Sequence, residues 1–318
     1  MKTIATLTLN PALDLNTSAD RVVADVKVRC DGPVYEPGGG GLNVARVIGR
    51  LGGECSAVFA SGGHIGRRLA ELLADEAVHV RAVPIRETTR LSVTVSEQRT
   101  DQQFRFLMPG PRLGEDEWRR CLEELTAFDP APGFIVASGS LPPGVPAQVY
   151  GELAARLRGT PTRLVVDTSG EALRAAAQAG VFLLKPNVGE LRALVGHDLS
   201  TEPEMEDAAR SLVQRGSAEN LVVSLGAAGA FVMAGDLTGD YVRSPTVPIR
   251  SRVGAGDSMV AGLVLALARG SSVGDAVRYG VAAGAAAVMT PGSQLCRHDD
   301  TERLYADLRG RSAAETSR

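Results

Sequence analysis

Six short apolar, β-branched runs recur along the chain. They are TIATLTL (3–9), SAVFA (56–60), GFIVAS (133–138), RLVVDT (163–168), VFLLK (181–185) and NLVVSLG (220–226). Each is continuous rather than alternating, which suits a strand covered on both faces. Between them the spacing becomes that of amphipathic helices, near 42–52, 65–76, 115–127, 147–157, 170–179, 188–195 and 203–215. Strand–helix alternation of this kind predicts an α/β fold, a mostly parallel central sheet with helices on both faces. Past residue 254 the chain reads as helix almost throughout: GDSMVAGLVLALARG, VGDAVRYGVAAGAAAVMT and DDTERLYADLRG.

Two stretches break the pattern. Residues 11–35 are polar and mixed, with VKVRC and PVYE as short strand candidates, and residues 90–108 alternate apolar and polar across a polar turn. Alternation signals a hairpin with one face covered and one wet. The two pieces are expected to pair into one small β-sheet lid beside the body; two unrelated surface hairpins are the alternative. No repeat or low-complexity linker interrupts the chain. The reading is one domain over 1–318, with lid segments at about 11–35 and 88–108 inserted into it.

Composition narrows the picture only a little. With 318 residues, 44% hydrophobic and 22% charged, the chain suits a globular protein that buries about 75% of its unfolded surface. A net charge of -3 gives no reason to expect nucleic acid or an acidic membrane as partner, so an anionic ligand must be held by local groups. Cys30, Cys55, Cys121 and Cys296 form no C-x-x-C pair and read as free thiols in a reducing compartment. No signal-peptide pattern and no apolar window of about 18 residues is present, so a cytoplasmic location is expected.

In open parallel sheets ligands bind beyond the carboxyl ends of the strands. Asp14 follows the first run, where a carboxylate can accept from sugar hydroxyls or simply cap a turn. Gly38 to Gly41 precede a helix opening near Asn43; glycines let backbone approach a ligand, and a helix start offers free N–H groups. Ser140 lies in SGSLPPGV after the third run. Asn187 and Glu190 are three apart in KPNVGEL and share a helix face, either as oxygen ligands for Mg²⁺ through water or as an ordinary cap. Gly226 and Gly229 in VSLGAAGA make a hairpin or a glycine floor under an adenine or ribose. In VGAGDSMVAG, the Gly254, Ala255 and Gly256 N–H groups at a helix start form an anion hole, and Asp257 beside them can take a proton. A base next to an anion hole is what phosphoryl transfer to an alcohol requires.

In this order, GGGGLNVAR, SGSLPPGV, KPNVGEL, VSLGAAGA and VGAGDSMVAG resemble the ribokinase-like (PfkB) carbohydrate kinases, over roughly residues 3–309. YEPGGGG, FRFLMPG and CRHDDT resemble the branch that acts on fructose 6-phosphate. The resemblance implies a three-layer α/β/α body, a β-lid that joins two subunits as a homodimer, and ATP with Mg²⁺. It implies that Asp257 is the base, with Gly254, Ala255 and Gly256 as the anion hole. It implies that Asp14, Gly39, Gly40, Asn43 and Ser140 hold the sugar, and that Arg90, Arg105 and Lys27 serve its phosphate. Lys185, Asn187, Ser224, Gly226, Gly229 and Gly284 would line the nucleotide site, with Glu190 acting on Mg²⁺ through water. Many members carry Asp-Thr shortly before Gly-Ala-Gly-Asp; this chain has Ser251 and Arg252. K⁺ would then be held near Ser251, Val253, Thr290 and Gly292. The absence of lysine among Gly38 to Gly41 favours fructose 6-phosphate over fructose 1-phosphate. Tagatose 6-phosphate, and a sugar-phosphate sensor without turnover, are the competing readings.

Overall fold

Each of the six apolar runs is a strand in the computed structural model, which describes residues 2–292 and 294–316, with 311–316 described by backbone alone. The first half holds β1 (Ile4–Thr8), β2 (Ala12–Ala19), β3 (Val34–Gly38), α1 (Gly40–Arg50), β4 (Cys55–Ser61), α2 (Gly63–Ala74), β5 (His79–Pro84), β6 (Arg90–Glu97), β7 (Gln103–Leu107), α3 (Glu115–Thr126) and β8 (Phe134–Ser138). Then follow α4 (Val149–Leu157), β9 (Arg163–Asp167), α5 (Gly170–Ala179), β10 (Val181–Leu184), α6 (Val188–Val195), α7 (Glu202–Gln214) and β11 (Ala218–Ser224). The chain closes with β12 (Gly229–Met233), β13 (Gly239–Arg243), α8 (Ala255–Ala268), α9 (Val273–Val288) and α10 (His298–Thr316).

Nine strands make one sheet in the order β13-β12-β11-β10-β9-β8-β1-β4-β5. All neighbours are parallel except β11–β12 and β12–β13. Successive side chains alternate between two cores, as the pleat requires. Ile4 and Val165 join the layer with α1, α8 and α9, whereas Leu7, Leu164 and Val166 join the layer with α3, α4, α5 and α7. β1 lies centrally, with β4 on one side and β8 on the other. That is a topological switch point, so a crevice opens beyond its carboxyl end.

α8 is buried along its whole length from Ser258 to Ala268, and α9 packs against it. Glycine inside a helix costs about 1 kcal/mol relative to alanine. Here it is retained for close approach: a Cβ on Gly262 would stand 2.9 Å from Ala283 Cβ, and one on Gly280 2.7 Å from the Met259 carbonyl.

The second sheet, in the order β3-β2-β6-β7, is formed by the two segments expected as a lid, and that label is kept for it. β2 and β6 pair in parallel with Ala12 opposite Arg90, and two antiparallel pairings complete it. The expected joining of the two sequence segments is therefore observed. The first segment runs further than expected, to Gly38, and VKVRC is not a strand. β2, the strand that precedes these residues, is already paired with β3 on one side and β6 on the other, so residues 26–30 cannot fold back onto it. α10 runs on into RSAAETSR (311–318) as far as Thr316; residues 317 and 318 lie outside the described residues. β5 lacks the apolar signature of the other body strands, because HVRAVP at the sheet edge alternates with charge and is only partly covered.

Candidate active site

The crevice beyond β1 is built where lid and body meet. Asn10 and Pro11 carry the chain from β1 into β2. Arg90, the first residue of β6, donates from Nη2 to the Asn10 carbonyl (3.1 Å), from Nε to that of Pro11 (3.4 Å) and from Nη1 to that of Met108 (3.3 Å). Its guanidinium is thus held where the chain passes from β1 into β2. Burial lowers its pKa, while Asp14 favours its charge. Asn10 Nδ2 donates to Ser140 Oγ at 3.1 Å, which ties the lid root to the loop after β8.

Asp14 stands in β2 opposite Glu36 and Ser92. Burial pushes its pKa up to about 6, against the pull of Arg105 and Arg90. Any side chain on Gly38 would collide with it, since a Cβ there would lie 2.4 Å from Asp14 Oδ2. Gly39, at φ +114°, caps α1, and a Cβ on Gly40 would meet Ser138 Oγ at 2.5 Å. The start of α1 therefore rests on the end of β8, beside Gly139 and Ser140.

Gly254, in the left-handed conformation at φ +74°, turns the chain into α8 and places Asp257 in its first turn. The backbone N–H groups of Gly254, Ala255, Gly256 and Asp257 donate to no described acceptor, as expected of a helix start. Asn43 of α1 donates from Nδ2 to Asp257 Oδ2 at 2.8 Å. Burial raises the Asp257 pKa to about 6; the Asn43 bond and Lys185 pull it down, and Asp167 and Asp14 push it up. Asn43 is expected from the sequence to hold sugar, and the structure places its amide on the carboxylate.

Lys185 Nζ lies 3.0 Å from Asp167 Oδ1; the lysine is buried and the aspartate largely so. Burial disfavours the Lys185 ammonium, but Asp167, Glu190 and Asp257 together raise its pKa. Asn187 and Glu190 form a reciprocal cap on α6: Asn187 N–H donates to Glu190 Oε2 (2.8 Å) and Glu190 N–H to Asn187 Oδ1 (2.9 Å). Ser224 bridges to Asn187 and donates its N–H to the Pro186 carbonyl at 2.9 Å. Gly229, at φ +105°, is required by the hairpin, because a Cβ would lie 2.0 Å from the Val242 carbonyl. Gly226 starts the turn before it, also in the left-handed region, at φ +60°. Gly284 lets α9 approach the start of α8, where a Cβ would stand 3.1 Å from the Ala255 carbonyl.

The 250–253 segment is fastened to the end of α9: the Arg250 and Ser251 N–H groups both donate to the Val288 carbonyl, at 2.7 and 3.3 Å. This puts Ser251 and Val253 beside the turn that carries Thr290 and Gly292. Among the described residues, the backbone carbonyls of these four accept no hydrogen bond from another backbone N–H. Arg105 pairs with Thr94 in the lid and acts on Asp14. Lys27 is exposed in the connection after β2 and makes no described contact with these groups.

Three residues of the crevice went unread in the sequence. Asp167 ends β9, and the strand-end rule applied to RLVVDT would have found it. Asn10 carries no local signal, since Ser140 lies 130 residues away, and neither does Arg46, whose acidic partner Glu76 lies 30 residues away.

The profile of pfkB family carbohydrate kinases matches residues 8–300. The ATP-dependent 6-phosphofructokinase isozyme 2 of Mycobacterium tuberculosis strain H37Rv is 48% identical, over 95% of this chain and 88% of that protein. The crystal structure of phosphofructokinase-2 from Escherichia coli in complex with potassium superposes with a TM-score of 0.93 at 44% identity, over 97% of this chain and 100% of that one. The same protein in complex with fructose-6-phosphate gives 0.91 at 43% identity, with the same coverage.

Proposed function

This chain belongs to the pfkB family of carbohydrate kinases, and from that premise we propose that it transfers the γ-phosphoryl group of ATP to the 1-hydroxyl of fructose 6-phosphate. The products are fructose 1,6-bisphosphate and ADP. The carrying observation is Asp257, a carboxylate with a pKa of about 6 set beside the uncommitted N–H groups that open α8. A base works best with a pKa near the working pH, where it is ionised yet still holds a proton well. Asp257 takes the proton of the 1-hydroxyl as the oxygen attacks in line. The N–H groups of Gly254, Ala255 and Gly256 carry the charge that develops on the transferred group. Lys185, held by Asp167, faces the nucleotide phosphates, with Asn187, Ser224, Gly226 and Gly229 around the nucleotide.

Asp14, Gly39, Gly40, Asn43 and Ser140 surround the sugar, and Arg90 and Arg105 take its 6-phosphate. Arginine suits that task through its planar fork of donors. Nothing in the geometry brings Lys27 to this group. Mg²⁺ keeps waters and binds through few carboxylates plus substrate phosphates, where it neutralises phosphate charge. Glu190 fits such a role, because the cap uses only its Oε2. A monovalent cation fits the uncommitted carbonyls of Ser251, Val253, Thr290 and Gly292. The edge strands of the lid expose Val34, Tyr35, Phe106 and Leu107, which supports pairing of two copies through it. Among the described residues no helix is long and apolar enough to cross a membrane, and the chemistry suits the cytoplasm.

The test is ADP release from ATP with fructose 6-phosphate, fructose 1-phosphate and tagatose 6-phosphate in parallel. Fructose 6-phosphate gives the highest kcat/KM; a higher value for either other sugar overturns the assignment. In the same assay, Arg90→Ala raises KM for fructose 6-phosphate by about 10–100-fold, the worth of one charge-assisted pair, and leaves KM for ATP nearly unchanged. Equal effects on both would remove Arg90 from the phosphate site. The kcat–pH profile has an acid limb centred near pH 6, because protonated Asp257 cannot accept a proton. A profile flat down to about pH 5 contradicts that role.

A further inference from the structure

Helix α1 carries one costly residue. Leu42, Val44, Ala45, Val47 and Ile48 are fully buried, and among them Arg46 is 2% exposed. Burying an ion pair rarely stabilises a fold over a hydrophobic pair of similar size, so its retention calls for another reason. Arg46 pairs with Glu76, just beyond α2, through Nη2 at 2.6 Å and Nε at 2.7 Å. Its Nη1 donates to the Pro37 carbonyl of β3 at 2.8 Å and to Asn43 Oδ1 at 3.4 Å. One turn of α1 separates Asn43 from Arg46, which puts them on one face. The Asn43 amide thus has its oxygen on an arginine and its nitrogen on Asp257 Oδ2.

We propose that Arg46 is a positioning residue that holds the Asn43 side chain as a donor toward Asp257 and so keeps Asp257 ionised at neutral pH. An ionised carboxylate orients the amide by itself. A protonated one does not: its O–H would prefer the amide oxygen, and a flipped Asn43 would then stabilise the acid. Arg46 opposes that flip, because the flip would turn the amide N–H groups onto a cation. The other charged groups acting on Asp257 are Asp167 at the end of β9, Lys185 after β10 and Asp14 of β2, and none of them orients the amide. The consequence for kcat rests on Asp257 being the base; the orientation itself does not.

Arg46→Lys keeps the charge and its pairing with Glu76, but a single ammonium cannot also serve Pro37 and Asn43. The primary readout needs no substrate: the titration midpoint of the Asp257 carboxyl by ¹³C NMR, assigned by its loss in Asp257→Asn. A hydrogen bond worth about 1 kcal/mol predicts a midpoint higher by about 0.7 in the variant. At about pH 6.5 kcat should then fall about twofold and recover by about pH 8, a rescue that general structural damage would not show. An unmoved midpoint in the folded variant overturns the proposal. A raised midpoint with unchanged kcat at about pH 6.5 upholds the positioning and removes Asp257 as base. Should Arg46→Lys not fold, Arg46→Gln with Glu76→Gln takes its place; it leaves no buried orphan charge, because Arg50, which also pairs with Glu76, reaches solvent. A raised midpoint in that double variant supports the positioning role, and an unmoved one overturns it.

Discussion

Asp257→Asn lowers kcat by at least about 10²-fold and, at neutral pH, makes the protein harder to unfold. The first effect is the loss of a general base, which is typically worth about 10²–10⁴-fold. KM for fructose 6-phosphate changes little, because the amide keeps the shape of the carboxylate. The second effect follows from the same burial. In the folded chain the Asp257 pKa lies at about 6, above its ordinary value of 3.8. A raised carboxyl pKa contributes stability that is fully present below the unfolded-state pKa and is lost as pH rises through about 6. At about pH 7.5 the ionised group therefore costs on the order of 2–3 kcal/mol. Asparagine carries no charge and is spared that cost, so Tm rises by roughly 3–6 °C at about pH 7.5. The gain disappears near about pH 4, where the native carboxyl is protonated as well. Calorimetry at both pH values, alongside the kinetic assay, checks the pair. A variant with near-normal kcat contradicts the reading, and so does one that gains less stability over wild type at the higher pH than at the lower. Activity and stability pull against each other at this position, as they commonly do at strained functional sites.

The largest loss of stability is expected at Lys185→Met. Lys185 and Asp167 form a buried pair 3.0 Å apart, at side-chain exposures of 7% and 16%. Removing the lysine leaves the Asp167 carboxylate buried without its partner, a change that typically costs about 3–5 kcal/mol. Tm falls by about 5–10 °C. Removing both charges together, as Lys185→Met with Asp167→Leu, restores most of that loss, since a hydrophobic pair of similar volume is close to neutral. If the double variant is as unstable as the single one, packing rather than the orphan charge is responsible. Phosphoryl transfer stays impaired in both variants, which separates the stabilising role of the pair from the role of Lys185 toward the nucleotide.

Most of the body was legible because its signals are local. Continuous apolar runs pointed to the buried parallel strands, and glycines before Asp257 pointed to a helix start with a carboxylate at its mouth. The lid was legible as two distant segments that break the pattern of the body, but not in its details. VKVRC has the composition of a strand, but the strand before it is already paired on both sides, and which strands pair is decided in the assembled sheet. The same holds for the site. Asp14 and Asp257 stood out as single residues. The Lys185–Asp167 pair, the Asn10–Ser140 link and the Arg46–Asn43–Asp257 chain exist only after residues far apart are brought together. Asn43 shows the difference well: the resemblance implies a sugar contact for it, and its bond to Asp257, 214 residues on, exists only in the folded chain.

The pairing of β2 with β6 also bears on how the chain folds. Ala12 and Arg90 stand opposite each other across a parallel ladder, with all of α1, β4, α2 and β5 between them in sequence. Closing so long a loop costs chain entropy before any ladder hydrogen bond rewards it, and parallel pairing of distant strands is intrinsically slow. The body strands β1, β4 and β5 are expected to be side by side first, since β1 leads into β2 and β5 into β6 at the same rim. In pulsed hydrogen exchange during refolding, amides of β1, β4 and β8 should gain protection before those of β2 and β6. The catalytic crevice is therefore completed in the last step of folding, when the half of it that belongs to the lid arrives.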